Sequence, residues 1–359
     1  MYEFAAVFAR SDAEMRRGMT LEKRRPPDWL GLPELTVPTL DLREKHAVVF
    51  GGSGFIGSHL VASLTSAGAS VTIADLESPA RLPEGARFVE ADVREPITLE
   101  PAADPLVFNL AAVHRTPGHP DHEYFETNVA GARNVTEFSA AHGATSLWFT
   151  SSISVYGPTE QACSEASPLR PVSAYGRSKL EAEQIHRAWA DAGSGRRLVV
   201  VRPAAVFGPG ENGNFTRLAA GLRRGFFFYP GRKDTLKACG YVDDLIGSLY
   251  FMANAADPIV TYNYGYAEPP TLEAICKAFQ ETGGLPAPRG VIPEGPMLAV
   301  ARFLSALGLK TFDPDRVRKL VASTNIQAGE LAERGYEYQT DLDSAIARWR
   351  AADPPGLFV

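Results

Sequence analysis

Tyr175 and Lys179 stand four residues apart in "SAYGRSKLEAE" (173–183), a spacing that puts both side chains on one face of a helix. A tyrosine with a pKa of about 10 is a poor base at neutral pH. A neighbouring ammonium favours its phenolate, and so does the positive ring of an oxidised nicotinamide. Tyr175 would then take a proton from a hydroxyl, or return one, while a hydride leaves or reaches the same carbon. Just upstream, "FTSSISVYGP" (149–158) ends an apolar run on two serines. A YxxxK pair alone is usually an exposed pair on a surface helix; the order strand, serine, then tyrosine on the next helix outweighs that here.

Hydride chemistry needs a dinucleotide, and "HAVVFGGSGFIGSHL" (46–60) offers a place for one. Gly51 permits a tight turn after an apolar strand, Gly54 lets backbone N–H groups approach a pyrophosphate, and Gly57 lets the following helix pack against the strand. Asp75 ends the next strand. A carboxylate there accepts hydrogen bonds from both ribose hydroxyls and repels a 2′-phosphate, which favours NAD over NADP. Asp92, in "EADVRE", is read either as a contact to the adenine amino group or as a strand-end cap.

The elements that must position these groups follow from the hydrophobic pattern. Apolar runs at 47–50, 70–75, 87–92, 106–112, 146–152 and 197–204 alternate with helical stretches, the longest at 121–142 and 174–193. Strands that are apolar throughout are buried on both faces, which implies a parallel, doubly wound α/β sheet. Residues 1–45 precede the first strand as an extension whose prolines forbid regular structure. The domain proper spans 46–205, with 241–265 returning to it. The segments 206–240 and 266–359, with helices near 271–283, 297–307, 313–323 and 342–351, form a smaller, partly interleaved C-terminal lobe.

Composition removes several function classes. The 359 residues carry a formal net charge of −6, so the surface gains little from neutralising nucleic-acid phosphates. Cys163, Cys239 and Cys276 are widely spaced, which supports neither a disulfide framework nor a zinc site. Nothing reaches the length of a membrane span, and the N-terminus lacks the features of a cleaved signal. A cytoplasmic protein that binds neither nucleic acid, membrane nor metal is expected.

Taken in order, Gly51, Gly54, Gly57, Asp75, "NLAAVH" (109–114), "NVAGARNV" (128–135), "TSSISVYG" (150–157), "SE" (164–165), "YGRSK" (175–179), "VRPAAVFGPG" (201–210) and "YVDDL" (241–245) resemble the extended short-chain dehydrogenase/reductases of the NAD-dependent epimerase/dehydratase kind. The resemblance covers roughly 46–255. It implies a Rossmann sheet with NAD across its switch point, a nucleotide-diphosphate sugar held by the smaller lobe, and catalytic Ser152, Tyr175 and Lys179. It also implies a homodimer formed through the helices near 121–142 and 174–193. Ser152 rather than Ser151 is chosen because the family's catalytic Ser/Thr stands four residues before the tyrosine of its VYG segment, here Tyr156. The expected NAD contacts are Gly51, Ser53, Gly54, Phe55, Ile56, Gly57, Asp75, Asp92, Val93, Leu110, Ala111, Ala112, Tyr175, Lys179, Arg202 and Val206.

Which reaction follows turns on Ile153 and Ser154. Dehydratases of this family resemble one another in placing a Glu, often with an Asp, between the catalytic Ser/Thr and VYG, because elimination needs an acid for the leaving hydroxyl and a base for the C5 proton. Two neutral residues favour 4-epimerisation through a transient keto sugar over 4,6-dehydration. Ala205 stands where UDP-galactose-type epimerases carry an asparagine, and "RPAAVFGP" also resembles reductases of sterols and flavonoids. A net reductase or dehydrogenase is therefore the second expectation, and a non-catalytic NAD-sensing scaffold the third. Evidence for a diphosphate comes from 214–237, where Arg217, Arg223, Arg224, Arg232, Lys233 and Lys237 face a single acid, Asp234. Arg223 and Arg224 read as a solvated helix face. His114, Ser152, Ser154, Asn214, Arg217, Arg232, Lys233 and Lys237 are the expected substrate contacts, and "FFFY" (226–229) reads as a buried strand before a base-stacking surface.

Overall fold

Alternation of inward side chains explains the central sheet. In β1 (His46–Phe50), Ala47 and Val49 join one apolar cluster while Val48 and Phe50 join another on the opposite face. A strand whose successive residues are all buried must be sandwiched between two helical layers. The computed structural model describes residues 42–114, 119–306, 321–353 and 356–359, and it contains that sandwich. The expected extension up to residue 41 and most of the helix expected at 313–323 lie outside the described residues.

From β1 the chain passes through α1 (Phe55–Ser66), β2 (Ser70–Asp75), β3 (Ala86–Glu90) and β4 (Leu106–Asn109). A helical stretch follows as α2 (Asp121–Phe125), a π turn (Glu126–Ala130) and α3 (Gly131–Ala141). Then come β5 (Ser146–Thr150), a 3₁₀ turn (Ile153–Val155), β6 (Thr159–Cys163), α4 (Ala174–Asp191), β7 (Arg197–Pro203) and β8 (Ala205–Phe207). The remainder holds α5 (Asn214–Arg223), β9 (Tyr229–Pro230), β10 (Cys239–Tyr241), α6 (Val242–Ala253), β11 (Ile259–Tyr264), α7 (Leu272–Glu281), β12 (Val291–Ile292), α8 (Glu294–Ala306), β13 (Thr324–Ile326), α9 (Gly329–Glu333) and α10 (Leu342–Ala352).

The main sheet has seven strands in the order β11-β7-β5-β4-β1-β2-β3, all pairs parallel. Strand order reverses between β1 and β4, which opens a crevice at their carboxyl ends. The expected doubly wound sheet is therefore present. One face packs on α1 and α6 through Leu60, Leu64, Leu245 and Leu249; the other packs on α3 and α4 through Val135, Phe138, Ala182 and Trp189. Each of the leucines, Val135 and Phe138, fully removed from water, contributes about 1.5–3 kcal/mol.

Outside the sheet, β8 pairs with β10, β9 with β12 and β6 with β13. A separate aromatic core binds α5, α7 and α10 together, with Phe207, Phe215, Phe279, Trp349 and Phe358 all buried. The "FFFY" segment differs from its expected form. Only Tyr229 enters a strand, Phe227 is buried, and Phe226 is 57% exposed beneath the Arg289 guanidinium.

The stretch expected as one helix at 121–142 is interrupted at Glu126–Ala130 by the wider π turn. Asn128 explains it. Its amide accepts from Val113 N at 3.0 Å and donates to Val113 O at 3.2 Å and to Ser178 Oγ at 2.8 Å, so the turn opens to reach the loop after β4 and the start of α4.

Candidate active site

Ser173 starts the helix that carries Tyr175 and Lys179. Its hydroxyl caps α4 by accepting from Gly176 N at 3.0 Å, which places Tyr175 in the first turn and Lys179 one turn on. A Cβ on Gly176 would stand 2.4 Å from Ser154 O and 3.1 Å from Pro171 Cβ. The missing side chain thus lets the tyrosine-bearing turn seat directly against the 3₁₀ turn after Ser152. Ser152 is buried; its hydroxyl caps that turn, accepting from Ser154 N and donating to Ser154 Oγ, each at 3.1 Å. Tyr175 lies half-buried, its ring 6.2 Å from that of Tyr124.

Lys179 is 2% exposed, with Nζ donating to Thr150 O at 2.7 Å and standing 4.7 Å from the centre of the Phe149 ring. Burial pulls its pKa down to about 7, and the charge of Glu183 opposes that fall. Beside it His186 is fully buried, stacked on Phe149, its Nδ1 at 2.7 Å from Ala182 O and its Nε2 at 3.1 Å from Asn109 Nδ2. Burial lowers its pKa to about 4 against the pull of the Ala182 carbonyl, so it is neutral at physiological pH.

The glycine loop has the shape a dinucleotide phosphate needs. Gly51 has φ +77° and its absent Cβ would fall 2.6 Å from Ala111 N, so only glycine lets β1 turn beside the β4 loop. A Cβ on Gly57 would fall 2.2 Å from Gly51 O, which fixes how closely α1 approaches the turn. Gly54 has an ordinary extended conformation; its Cβ would meet only Gly51 O, at 3.3 Å. The space beside it and the uncapped start of α1 are what a phosphate requires. Ser53 Oγ is buried without a hydrogen-bond partner, an orphan that a phosphate oxygen satisfies. Asp75 is held by Ser53 N at 2.9 Å and Leu76 N at 2.8 Å at the end of β2, oriented as a ribose diol requires. These residues fit a dinucleotide.

Other expected contacts lie around this loop. Phe55 and Ile56 open α1, and Leu110 N donates to Phe50 O at 2.9 Å. Ala111 and Ala112 follow β4, and half-buried Val206 lies in β8. Val93 is buried against Gly131, and its carbonyl accepts from Asn134 Nδ2 at 2.7 Å.

Two cofactor expectations need correction. Arg202 is buried within β7, its Nε and Nη2 bonded to both Glu183 oxygens at 2.9 and 2.7 Å and its Nη1 to Tyr156 Oη at 2.7 Å. A guanidinium enclosed by its own carboxylate is an internal tie of the sheet. Asp92 accepts from Arg94 N at 2.9 Å and from the Arg94 guanidinium at 2.6–2.9 Å, so its carboxylate closes its own turn.

The basic segment is also less bare than its composition suggested. Arg232 Nη2 meets Glu160 Oε2 at 2.5 Å and Ser323 Oγ at 2.8 Å, and Lys233 meets Glu273 at 3.1 Å. Arg232 and Lys233, expected as diphosphate contacts, are each answered here by an acid, from β6 and from α7. Lys237 differs. It is buried, its Nζ donates to Ala322 O at 2.7 Å, and burial lowers its pKa to about 8 against the charge of Glu160. Asn214 opens α5 with its Oδ1 buried and unpartnered, and Arg217 lies one turn further along. His114 is exposed at the end of the β4 loop.

Asn128, which ties the β4 loop to α4, was missed as a site residue; "NVAGARNV" contained it, but nothing in the spacing reveals a π turn. Among the described residues no group of three or more His, Cys, Asp or Glu is placed to hold a metal ion, and no helix is long and apolar enough to cross a membrane.

Comparison with known proteins agrees with this geometry. Residues 47–265 match the NAD dependent epimerase/dehydratase family. The chain is 33% identical over 226 residues to N-acetyl-alpha-D-glucosaminyl-diphospho-ditrans,octacis-undecaprenol 4-epimerase of Escherichia coli O157:H7, covering 61% of this chain and 66% of that enzyme, just under two thirds of its length. It is 29% identical over 304 residues to UDP-glucose 4-epimerase 4 of Oryza sativa subsp. japonica, covering 72% of this chain and 82% of the relative. Its fold is similar to that of MoeE5 in complex with UDP-glucuronic acid and NAD, with a TM-score of 0.69 and 25% identity, covering 87% of this chain and 99% of that one.

Proposed function

This chain belongs to the NAD dependent epimerase/dehydratase family, and from that premise we propose that it is a cytosolic NAD-dependent 4-epimerase of a diphosphate-linked sugar, with a nucleotide sugar as the leading substrate class. The observation that carries this reading is the neutral pair between Ser152 and Tyr156. Ile153 packs with Val155 and Tyr156 in a small apolar cluster, and Ser154 is occupied with the hydroxyl of Ser152. Neither offers the acid or base that elimination of water requires.

NAD would lie along Gly51–Gly57 with its ribose on Asp75, and when bound it supplies the site that takes the C4 hydride and gives it back. The chain's own residues handle the proton. Tyr175 removes it from the C4 hydroxyl and later returns it to the same oxygen after the keto sugar has turned over in the pocket. Ser152 shares a hydrogen bond with that oxygen, which requires its present bond to Ser154 to yield. Lys179 keeps positive charge beside Tyr175 and so favours the phenolate. The lobe made by 206–240 and 266–359 holds the diphosphate, through Asn214, Arg217 and Lys237 first, with Arg232 joining if it leaves Glu160.

The dimer would bury the outward face of α2, α3 and α4. That face carries Arg133, Glu137, Arg177, Glu181 and Gln184, with Arg133–Glu181 and Arg177–Asp121 each at 3.6 Å. Such an interface is polar, and its dissociation by salt is read by light scattering.

Incubation with UDP- and GDP-hexoses, and with a polyprenyl-diphospho-N-acetylhexosamine, followed by NMR, tests the reading. Absence of both turnover and binding across that panel overturns it. Ala205 supports a second reading, net reduction or oxidation of a ketone or alcohol; steady consumption of added NAD(H), which an epimerase does not show, distinguishes the two.

A further inference from the structure

Behind the catalytic face of α4 runs a buried polar chain that the reaction above does not use. Glu183 follows Lys179 by one helical turn and is 2% exposed. Its Oε1 accepts from Ser151 Oγ at 2.5 Å and from Arg202 Nε at 2.9 Å, and its Oε2 accepts from Arg202 Nη2 at 2.7 Å. Arg202 Nη1 donates to Tyr156 Oη at 2.7 Å, and that hydroxyl donates to Asn263 Oδ1 at 2.8 Å. Asn263 in turn donates from Nδ2 to Gln327 O at 2.9 Å and from its backbone to Glu165 Oε1 at 2.8 Å, while Glu165 also accepts from Gly329 N and Glu330 N at the start of α9. One carboxylate therefore ties α4, the end of β5, β7 and the turn after Ser152, and the chain continues to the segment that follows β13.

The two consecutive serines have different duties. The Ser151 hydroxyl enters the interior and meets Glu183, while the Ser152 hydroxyl caps the turn at Ser154. Holding the first holds the peptide that carries the second. An apolar pair of similar volume would serve stability as well as a buried ion pair does, so stability alone does not account for Glu183 and Arg202.

Resting on the epimerase reading, we propose that Glu183 is a positioning residue: through Ser151 it sets the orientation of Ser152, and from one helical turn away its carboxylate favours the ammonium form of Lys179. The groups around Lys179 agree. Thr150 offers a carbonyl, Phe149 a ring face, His186 is neutral, and Glu183 supplies a negative charge that opposes burial, part of it answered by Arg202 at 2.9 and 2.7 Å.

The test uses the full-length protein. Lys179 is titrated by NMR with lysine labelled at Cε, its signal assigned by its loss in Lys179→Met. Glu183→Gln should lower the Lys179 midpoint by at least about one pH unit, and Ser151→Ala should leave it in place. With a substrate that the wild type turns over, Ser151→Ala should reduce kcat about tenfold with KM within about twofold. Should Glu183→Gln fail to fold, Glu183→Asp keeps the charge on a shorter stem: its midpoint should stay while kcat falls. An unmoved midpoint in Glu183→Gln, or wild-type kcat in Ser151→Ala or Glu183→Asp, overturns the proposal. The titration needs no substrate, so an inert wild type would count against the epimerase reading and leave Glu183 to be decided by the titration alone.

Discussion

Gly176 sits so close to Ser154 that a Cβ on the glycine would lie 2.4 Å from the serine carbonyl oxygen. That contact joins the two halves of the proposed catalytic set, since Gly176 follows Tyr175 and Ser154 bonds to Ser152. Gly176→Ala must push the start of α4 away from the 3₁₀ turn. Overpacking of this kind costs about 1–3 kcal/mol, and a misplacement near 1 Å costs roughly 10²-fold in rate. We expect a modest loss in thermal stability and a much larger loss in kcat; a variant with wild-type kcat contradicts the assembled site.

Tyr175→Phe removes the hydroxyl proposed to move the proton. Loss of a positioned acid–base group costs about 10²–10⁴ in rate. The expected outcome is that loss in kcat with a folded protein, read by turnover alongside calorimetry. Near-normal turnover would remove Tyr175 from the reaction.

Asp75 is the residue proposed to select the dinucleotide. Its carboxylate is already oriented by Ser53 N and Leu76 N, so it meets a ribose diol without rearrangement. Asp75→Asn keeps the shape and removes the charge. NAD affinity should fall by about 1.5–3 kcal/mol, the range for a hydrogen bond to a charged group, while NADP affinity rises relative to it. An unchanged NAD/NADP ratio in titrations of both contradicts the assignment.

His59, on the helix that carries the glycine loop, joins Asp243 at 3.0 Å and Pro209 O at 2.9 Å. Burial opposes its charge, but the bond to Asp243, that carboxylate's charge and the Pro209 carbonyl outweigh it, so its pKa is raised. A raised pKa contributes stability that is fully present below the unfolded value of about 6.5 and is lost as pH rises through the folded one. The melting temperature of wild type should exceed that of His59→Gln most at pH 5.5, with the gap narrowing as pH rises past the unfolded value of about 6.5. A gap that is constant with pH, or that widens with it, contradicts the charged bridge.

The sheet, and the placing of Tyr175 and Lys179 on one helix, were legible because their signals are local. The unbroken burial along β1, the glycine spacing and the i,i+4 pair of Tyr175 and Lys179 depend on residues close in sequence. What escaped depends on pairs far apart. Arg202 meets Glu183 across 19 residues, Arg232 meets Glu160 across 72, and Lys233 meets Glu273 across 40, so cations that looked available were already paired. A lone arginine inside the apolar run "LVVVRPA" did carry a signal: a charge in a strand buried on both faces must have a buried partner. The π turn at Asn128 had no such marker, since it arises from a tertiary contact to Val113 and Ser178.

The central claim is that hydride leaves C4 and returns to C4 within one site while Tyr175 alone handles the proton. Turnover of a diphosphate-linked hexose in D₂O, followed by NMR at each ring position, reads it directly. The account predicts that the C4 epimer accumulates with no deuterium on ring carbons and no net formation of NADH. Deuterium on a ring carbon, a deoxy-keto product, or NADH formed in proportion to substrate consumed would contradict it.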